Sequence, residues 1–337
     1  TVTIDPVPSV ISQADTICSG SSFAFPPFIG GNPLPPSVTF SWTAPNNANF
    51  VGQTDGNNQT IFSQYLTNLT SVDQIINYTV TPQTGTCIGN TFNASITVNP
   101  APSITNKTDT ICSGDNFMII PVNGGGDIVP LNTTYNWTVF YNPNIIGTFN
   151  AGGQVISQTL TNISNSPQSV IYNVTPITPL SCYGGTFTAT VTVNPPPTIM
   201  DKTTSICSGN SFLISPFNVG GDFVPANTTY SWTVSSNPNI IGGSNQTGQV
   251  NISQTLTNAT NVPQSLIYAV TPTAASCDGN TFTIVVIVNP APTISISASQ
   301  TNICSGTKVY CEANSQNSGD NPAYQWQLNG NNIGTNS

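Results

Sequence analysis

The sequence predicts an all-β chain, a tandem array of immunoglobulin-like β-sandwich repeats of about 95 residues each. Three observations carry this. An alternating strand that runs into prolines, TFTATVTVNPPP from Thr186 to Pro197, recurs as TFNASITVNPAP from Thr91 to Pro102 and TFTIVVIVNPAP from Thr281 to Pro292. Four landmarks keep one order, with successive copies 94 to 97 residues apart. They are Cys-Ser-Gly at Cys18, Cys112, Cys207 and Cys304; an aromatic-x-Trp at Trp42, Trp137, Trp232 and Trp326; Leu-Thr-Asn at Leu66, Leu160 and Leu256; and Tyr-x-Val-Thr-Pro at Tyr78, Tyr172 and Tyr268. Between them lie short β-prone runs separated by Gly and Pro, with no helical periodicity.

In chain order, TVTIDPVP at Thr1 is a worn copy of the closing strand, so residues 1–6 read as the end of a preceding repeat. Full repeats follow at 7–100, 101–195 and 196–290, and 291–337 is a truncated fourth. Within the second repeat, a strand opens after the prolines; its fourth-copy equivalent alternates Ile294 and Ile296 with Ser. Further strands are expected at Asn116 to Val122, Thr134 to Phe140, Gln154 to Thr161 and Val170 to Thr175, with a Gly/Pro-rich loop from Gly124 to Pro130, before the closing strand. About seven short strands around a Trp on the third main one match a sandwich. One Trp per repeat at a fixed strand position reads as core packing rather than carbohydrate stacking, and Tyr78, Tyr172 and Tyr268 occupy core or corner positions.

Composition limits function. Charged residues are 4% of the chain, with three Lys or Arg in total and no His, against about 25% in an ordinary soluble domain. Without His there is no Ser-His-Asp triad or histidine metal ligand, so no catalytic residue, cofactor or metal site is assigned and the chain is not read as an enzyme. A net charge of −9 argues against nucleic acid. No apolar run is long enough for a membrane span. Asp127 and Asp222 follow Gly-Gly in matching loops, where the first copy has Gly30, Gly31 and Asn32. Ordinary turn chemistry explains them better than calcium, which needs several converging oxygens. Thirteen N-x-S/T sequons occur, among them Asn68, Asn136 and Asn162; so Asn- and Thr-rich a composition yields roughly that number by chance.

The pattern CSG, (Y/F)xWT, LTN, YxVTP, CxG-TF, VTVNPxP resembles the PKD-like repeats of Bacteroidota cell-surface proteins, including gliding-motility adhesins and type IX secretion cargo. The resemblance covers essentially the whole chain. The fourth unit, with Tyr324, Trp326 and NGNNIGTNS, resembles a second subtype from the same proteins, from which Cys311 departs. Membership implies a stalk or filament on the cell surface and names no ligand. Asp15-Thr16-Ile17 and Asp109-Thr110-Ile111 resemble the short O-glycosylation signal of those bacteria, making Thr16 and Thr110 candidate sites; the third copy, Thr204-Ser205-Ile206, lacks the Asp.

Eight Cys, one early and one late per full repeat and without CxxC spacing, read as disulfides (Cys18, Cys87, Cys112, Cys182, Cys207, Cys277, Cys304 and Cys311) in an oxidising, extracellular setting. Three registers fit: within repeats (Cys18 with Cys87, Cys112 with Cys182, Cys207 with Cys277), across junctions (Cys18 with Cys182, Cys112 with Cys277), or sequential (Cys87 with Cys112). In an immunoglobulin-like path the early and late Cys of one repeat sit at opposite poles, about 23 Å apart, whereas a disulfide allows about 4.4–6.8 Å between Cα atoms. The path therefore leans to the cross-junction register and leaves pairing within repeats open. The expected function is the disulfide-stiffened shaft of an extracellular adhesin or filament at the cell surface, supporting adhesion or gliding. Its partners would be neighbouring repeats of the same chain, with surface glycans or other copies of the filament as further candidates. The alternatives are a carbohydrate-binding array acting through the Gly/Pro-rich loops, or a non-catalytic appendage of a secreted enzyme. Junctions of a few proline-containing residues should make the array a semi-rigid rod.

Overall fold

The computed structural model describes residues 6–25, 34–35, 37–318 and 322–333, so the worn strand at Thr1 to Asp5 and the loop holding Gly30, Gly31 and Asn32 lie outside the described residues. The described chain is β-strand and turn. It falls into two compact units, residues 1–194, which hold the first two repeats, and residues 195–337, which hold the third and the truncated fourth.

The second repeat illustrates the build. Its opening strand Lys107–Cys112 lies parallel to the closing strand Phe187–Asn194, in register from Lys107 opposite Ala189 to Cys112 opposite Asn194. Parallel neighbours need a long crossover, and here nearly the whole repeat is that crossover. The closing strand pairs antiparallel with the Tyr strand Gln168–Ile177, which pairs with the Trp strand Thr134–Val139, which in turn pairs with the edge strand Ala151–Gly153. A smaller layer is made by Asn116–Ile119 on Ile156–Thr159 and by Ile145–Ile146 on Thr161–Asn162. The first and third repeats follow the same order. The run expected as one strand from Gln154 to Thr161 is broken, because Ala151–Gly153 pairs in the large layer while Ile156–Thr159 and Thr161–Asn162 pair in the small one.

Alternation sorts the side chains. In the closing strand Phe187, Ala189, Val191 and Val193 point inward and are almost fully buried, while Thr188, Thr190 and Thr192 between them are half-buried. The Tyr strand contributes Val170, Tyr172 and Val174 to the same cluster, and the Trp strand Tyr135 and Trp137. Each fully buried aliphatic contributes about 1.5–3 kcal/mol over its exposed state. Equivalent clusters form around Trp42 and Tyr78 and around Trp232 and Tyr268. Trp326 departs from its expected core role. It is half-buried on the hairpin Trp326–Leu328 and Asn331–Ile333, outside all three clusters, because among the described residues no second layer packs on that hairpin.

Candidate functional site

The landmark residues meet one another, which explains why they recur. Ser113 of Cys-Ser-Gly and Asn162 of Leu-Thr-Asn are bonded across 49 residues: the Asn162 N–H donates to Ser113 Oγ at 2.9 Å, and the Gly114 N–H to the Leu160 carbonyl at 2.8 Å. The Asn162 side chain is a buried hub. Its Nδ2 donates to the Ser166 and Val193 carbonyls at 2.8 Å each, and its Oδ1 accepts from the Ser164 N–H and hydroxyl. Asn68 and Asn258 repeat this set. These three sequon asparagines are therefore structural, with every side-chain polar atom spent inside the fold, whereas Asn136 is exposed.

A second polar set sits in the core. Trp137 Nε1 donates to the Phe149 carbonyl at 3.2 Å, and Gln158 closes that loop with Nε2 on the same carbonyl while its Oε1 accepts the Tyr172 hydroxyl at 2.9 Å. Trp232, Gln254 and Tyr268 form the same arrangement. In the first repeat Gln64 Oε1 accepts from the Thr54 N–H, as Gln158 and Gln254 accept from Phe149 and Ser244, but the buried Tyr78 hydroxyl has no partner among the described residues. Burial pushes the Tyr78 phenol up to about 12 and raises Tyr172 and Tyr268 also. These six Trp and Tyr side chains of the three full repeats are held in the interior, so they form no open binding platform.

Asp127 and Asp222 are not simple turn residues. Asp127 pairs with Lys107 of the opening strand at 2.5 Å, with side-chain exposures of 4% for Asp127 and 27% for Lys107. Its Oδ1 also accepts from the N–H and hydroxyl of Thr105 at 2.8 Å each. Burial alone would raise this carboxyl, but the bonds from Lys107 and Thr105 and the Lys107 charge hold it below the usual carboxylate range. Asp222 pairs with Lys202 at 2.7 Å in the same way. Two of the chain's three lysines are used here, and the first repeat has Gln13 at the matching strand position. The signal was legible, a lysine at one place in two copies and an Asp in the same two, but its long-range pairing was not. Among the described residues no His, Cys, Asp and Glu set could hold a metal ion.

The junction of the first two repeats is the distinctive site. Cys18, last residue of the strand Gln13–Cys18, is joined to Cys182 of the second repeat across 164 residues, with Cα atoms 5.4 Å apart. The cross-junction register therefore holds for Cys18, and pairing of Cys18 with Cys87 or of Cys112 with Cys182 does not. Cys182 is fully buried in a tight turn in which Ser181 N–H donates to Thr178 O and Cys182 N–H to Thr178 Oγ1. Beside the bond, Asn99, Pro100 and Pro102 of the linker are buried, and a 260 Å³ seam is lined by Val72, Asp73, Pro100, Leu131, Pro179 and Leu180. Cys112 and Cys277 are also disulfide-bonded. The expectation fails for Cys207, Cys304 and Cys311, which hold no disulfide. Cys311 faces Ala298 across its strand pair and Cys304 lies in a turn closed by the Thr307 N–H; Cys207 faces Asn289 just as Cys18 faces Asn99, so its place in the strand does not set it apart from the bonded cysteines. Cys87 is half-buried on the two-residue strand Cys87–Ile88. Thr16 and Thr110 are both exposed on the outer face of their opening strands, each with its N–H bonded to the preceding Asp at 2.8 Å.

The geometry defines a class, tandem immunoglobulin-like β-sandwich modules. The chain belongs to the PKD-like domain family, which matches residues 15–102, 109–197 and 202–292. No curated protein matches it. Among solved structures, an I-band fragment of titin is similar at 11% identity and a TM-score of 0.34, over 86% of this chain and 100% of that one. The three N-terminal domains of the bacteriophage RB49 outer capsid protein Hoc are similar at 14% identity and a TM-score of 0.38, over 82% and 96%. Tandem PKD-like repeats are non-catalytic modules typical of extracellular structural or adhesive segments.

Proposed function

We propose that the chain is a disulfide-stiffened segment of the shaft of a long extracellular adhesin or filament, displayed on a Bacteroidota-type cell surface and used in adhesion or gliding. The observation that carries this reading is the Cys18–Cys182 bond, which clamps one sandwich to the next beside a buried proline linker. A flexible binding array has no need of such a clamp; a shaft that must hold its form under load does. The strand layout suits the same task. Tension enters each repeat before its opening strand and leaves after its closing strand. Because those strands are parallel, the load shears six register pairs together rather than peeling them singly.

The test is the angular spread between the first and second repeats, measured by electron microscopy or paired spin labels on the whole chain. A narrow spread that widens in C18S or under reductant supports the shaft. An equally broad spread with and without the bond overturns it.

A further inference from the structure

Cationic side chains are so scarce in this chain that each can be followed to its place. There are three, Lys107, Lys202 and Lys308, and no Arg. Two are committed to the fold. Lys107 opens the strand Lys107–Cys112 opposite Ala189, and its Nζ reaches Asp127 Oδ2 at 2.5 Å and Thr105 Oγ1 at 3.0 Å. Lys202 opens Lys202–Cys207 opposite Ile284, with its Nζ 2.7 Å from Asp222 Oδ2. Both carboxylates are buried, and the lysine side chains are only 27% and 30% exposed. An endopeptidase that recognises a basic residue must seat that side chain in an acidic pocket and hold the flanking backbone extended in its own cleft. At Lys107 and Lys202 neither can happen until an ion pair and a parallel strand pair have both opened.

Lys308 is placed the opposite way. It lies between the strands Thr293–Ala298 and Cys311–Gln316, in a loop closed at its base by the Ser299 N–H on the Tyr310 carbonyl at 2.8 Å. Thr301 to Lys308 are all exposed and outside any strand. Within the loop the Thr307 N–H donates to the Cys304 carbonyl at 3.1 Å, and Gly306, at φ +87°, turns the chain just ahead of Lys308. No hydrogen bond or ion pair holds the Lys308 side chain among the described residues. Exposed loops of this kind are where proteolytic nicking concentrates. The surroundings make a cut there consequential. The three PKD-like matches end at residue 292, ahead of it, and Cys304 and Cys311, on either side of it, hold no disulfide. None of the residues in the two strands that flank it is buried, and an isolated two-stranded hairpin is marginal in water.

We propose that the bond between Lys308 and Val309 is a processing site, at which an endopeptidase of basic specificity separates the array of three sandwiches from the residues that follow. The C–N bond breaks and one water is consumed, leaving the Lys308 carboxylate and the Val309 ammonium. This goes beyond the shaft reading and stands without it. The test incubates the whole native chain, and the variant K308Q, with dilute trypsin and follows the fragments by intact mass. The expected first products are 1–308 and 309–337, which part on size exclusion without denaturant. Cutting at Lys107 and Lys202 should be at least about a hundredfold slower, because it waits on strand opening. K308Q changes only an exposed loop side chain and should stay whole over the interval in which the wild type is converted. Comparable rates at all three lysines, a wild type that resists at Lys308, loss of K308Q at the wild-type rate, or fragments that stay together would each overturn the proposal.

Discussion

At the residue scale, each buried polar group is either satisfied or identifiable as a defect. Tyr172 and Tyr78 occupy the same place, yet only Tyr172 gives its hydroxyl to a glutamine, at 2.9 Å. A buried hydroxyl bonded to a neutral acceptor contributes about 1 kcal/mol, while an orphaned one costs its desolvation. Y172F should therefore lower stability by about 1 kcal/mol, and Y78F should leave it unchanged or raise it, both read from chemical denaturation. Equal losses in the two variants would show that Gln158 does not distinguish the sites. The ion pair behaves differently because its carboxyl titrates. Asp127 is held below its ordinary value in the folded chain, so its stabilisation is present at neutral pH, above the unfolded value of about 3.9, and is lost as pH falls through the lower folded value. Hydrogen exchange of second-repeat peptides should show protection falling as the pH drops below about 4 in the wild type, with a smaller fall in D127N. D127N itself should cost about 3 kcal/mol at neutral pH, the low end for a broken buried pair, because Lys107 is partly solvated.

At the element scale, two glycines bring strands and loops closer than a side chain would allow. Gly147 has φ +99°, and a Cβ there would lie 2.1 Å from the Thr159 carbonyl oxygen, so the short strand Ile145–Ile146 reaches its partner only because residue 147 lacks one. Gly52 and Gly242 repeat this. G147A should cost at least about 3 kcal/mol through left-handed strain plus backbone collision, whereas G185A, with nothing within 4 Å, should stay within about 0.5 kcal/mol. Thermal unfolding of the two variants side by side separates these outcomes. Gly184, in the Cys-x-Gly motif, meets the Pro102 carbonyl oxygen at 2.2 Å from its ideal Cβ. The late cysteine loop thus packs on the proline that begins its own repeat, next to the residue that bonds to the previous one.

At the scale of the whole molecule, the bond between Cys18 and Cys182 changes the load path. It short-circuits 164 residues of chain, which can unfold without lengthening the molecule while the bond is intact. At about 3.3–3.6 Å per extended residue, that hidden length is roughly 550 Å. Stretching the chain should release that extra length only after reduction. Equal extension in both redox states would place Cys18 outside any load-bearing link. Peptide mapping without reduction should find a peptide containing Cys18 linked to one containing Cys182; a Cys18 peptide linked to any other cysteine would contradict the register.

The sequence by itself determined the repeat, its period, the all-β class and the alternating core. Those are consequences of local periodicity and of apolar burial, which depend on residue type at short range. Trp137 and Tyr172 were legible as core for that reason. The chain order also left three cysteine registers standing, and one argument about strand length favoured the observed partner of Cys18. Only the tertiary structure decided which residues meet across long separations: Ser113 with Asn162, Lys107 with Asp127, Cys18 with Cys182. It also decided that Asn68 and Asn162 are buried hubs rather than glycan acceptors, and that Cys207, Cys304 and Cys311 hold no disulfide. A composition with so few charges makes each polar side chain look interchangeable along the chain. Their roles separate only when the fold removes some from water, because a buried donor or acceptor must then find a specific partner and an exposed one need not.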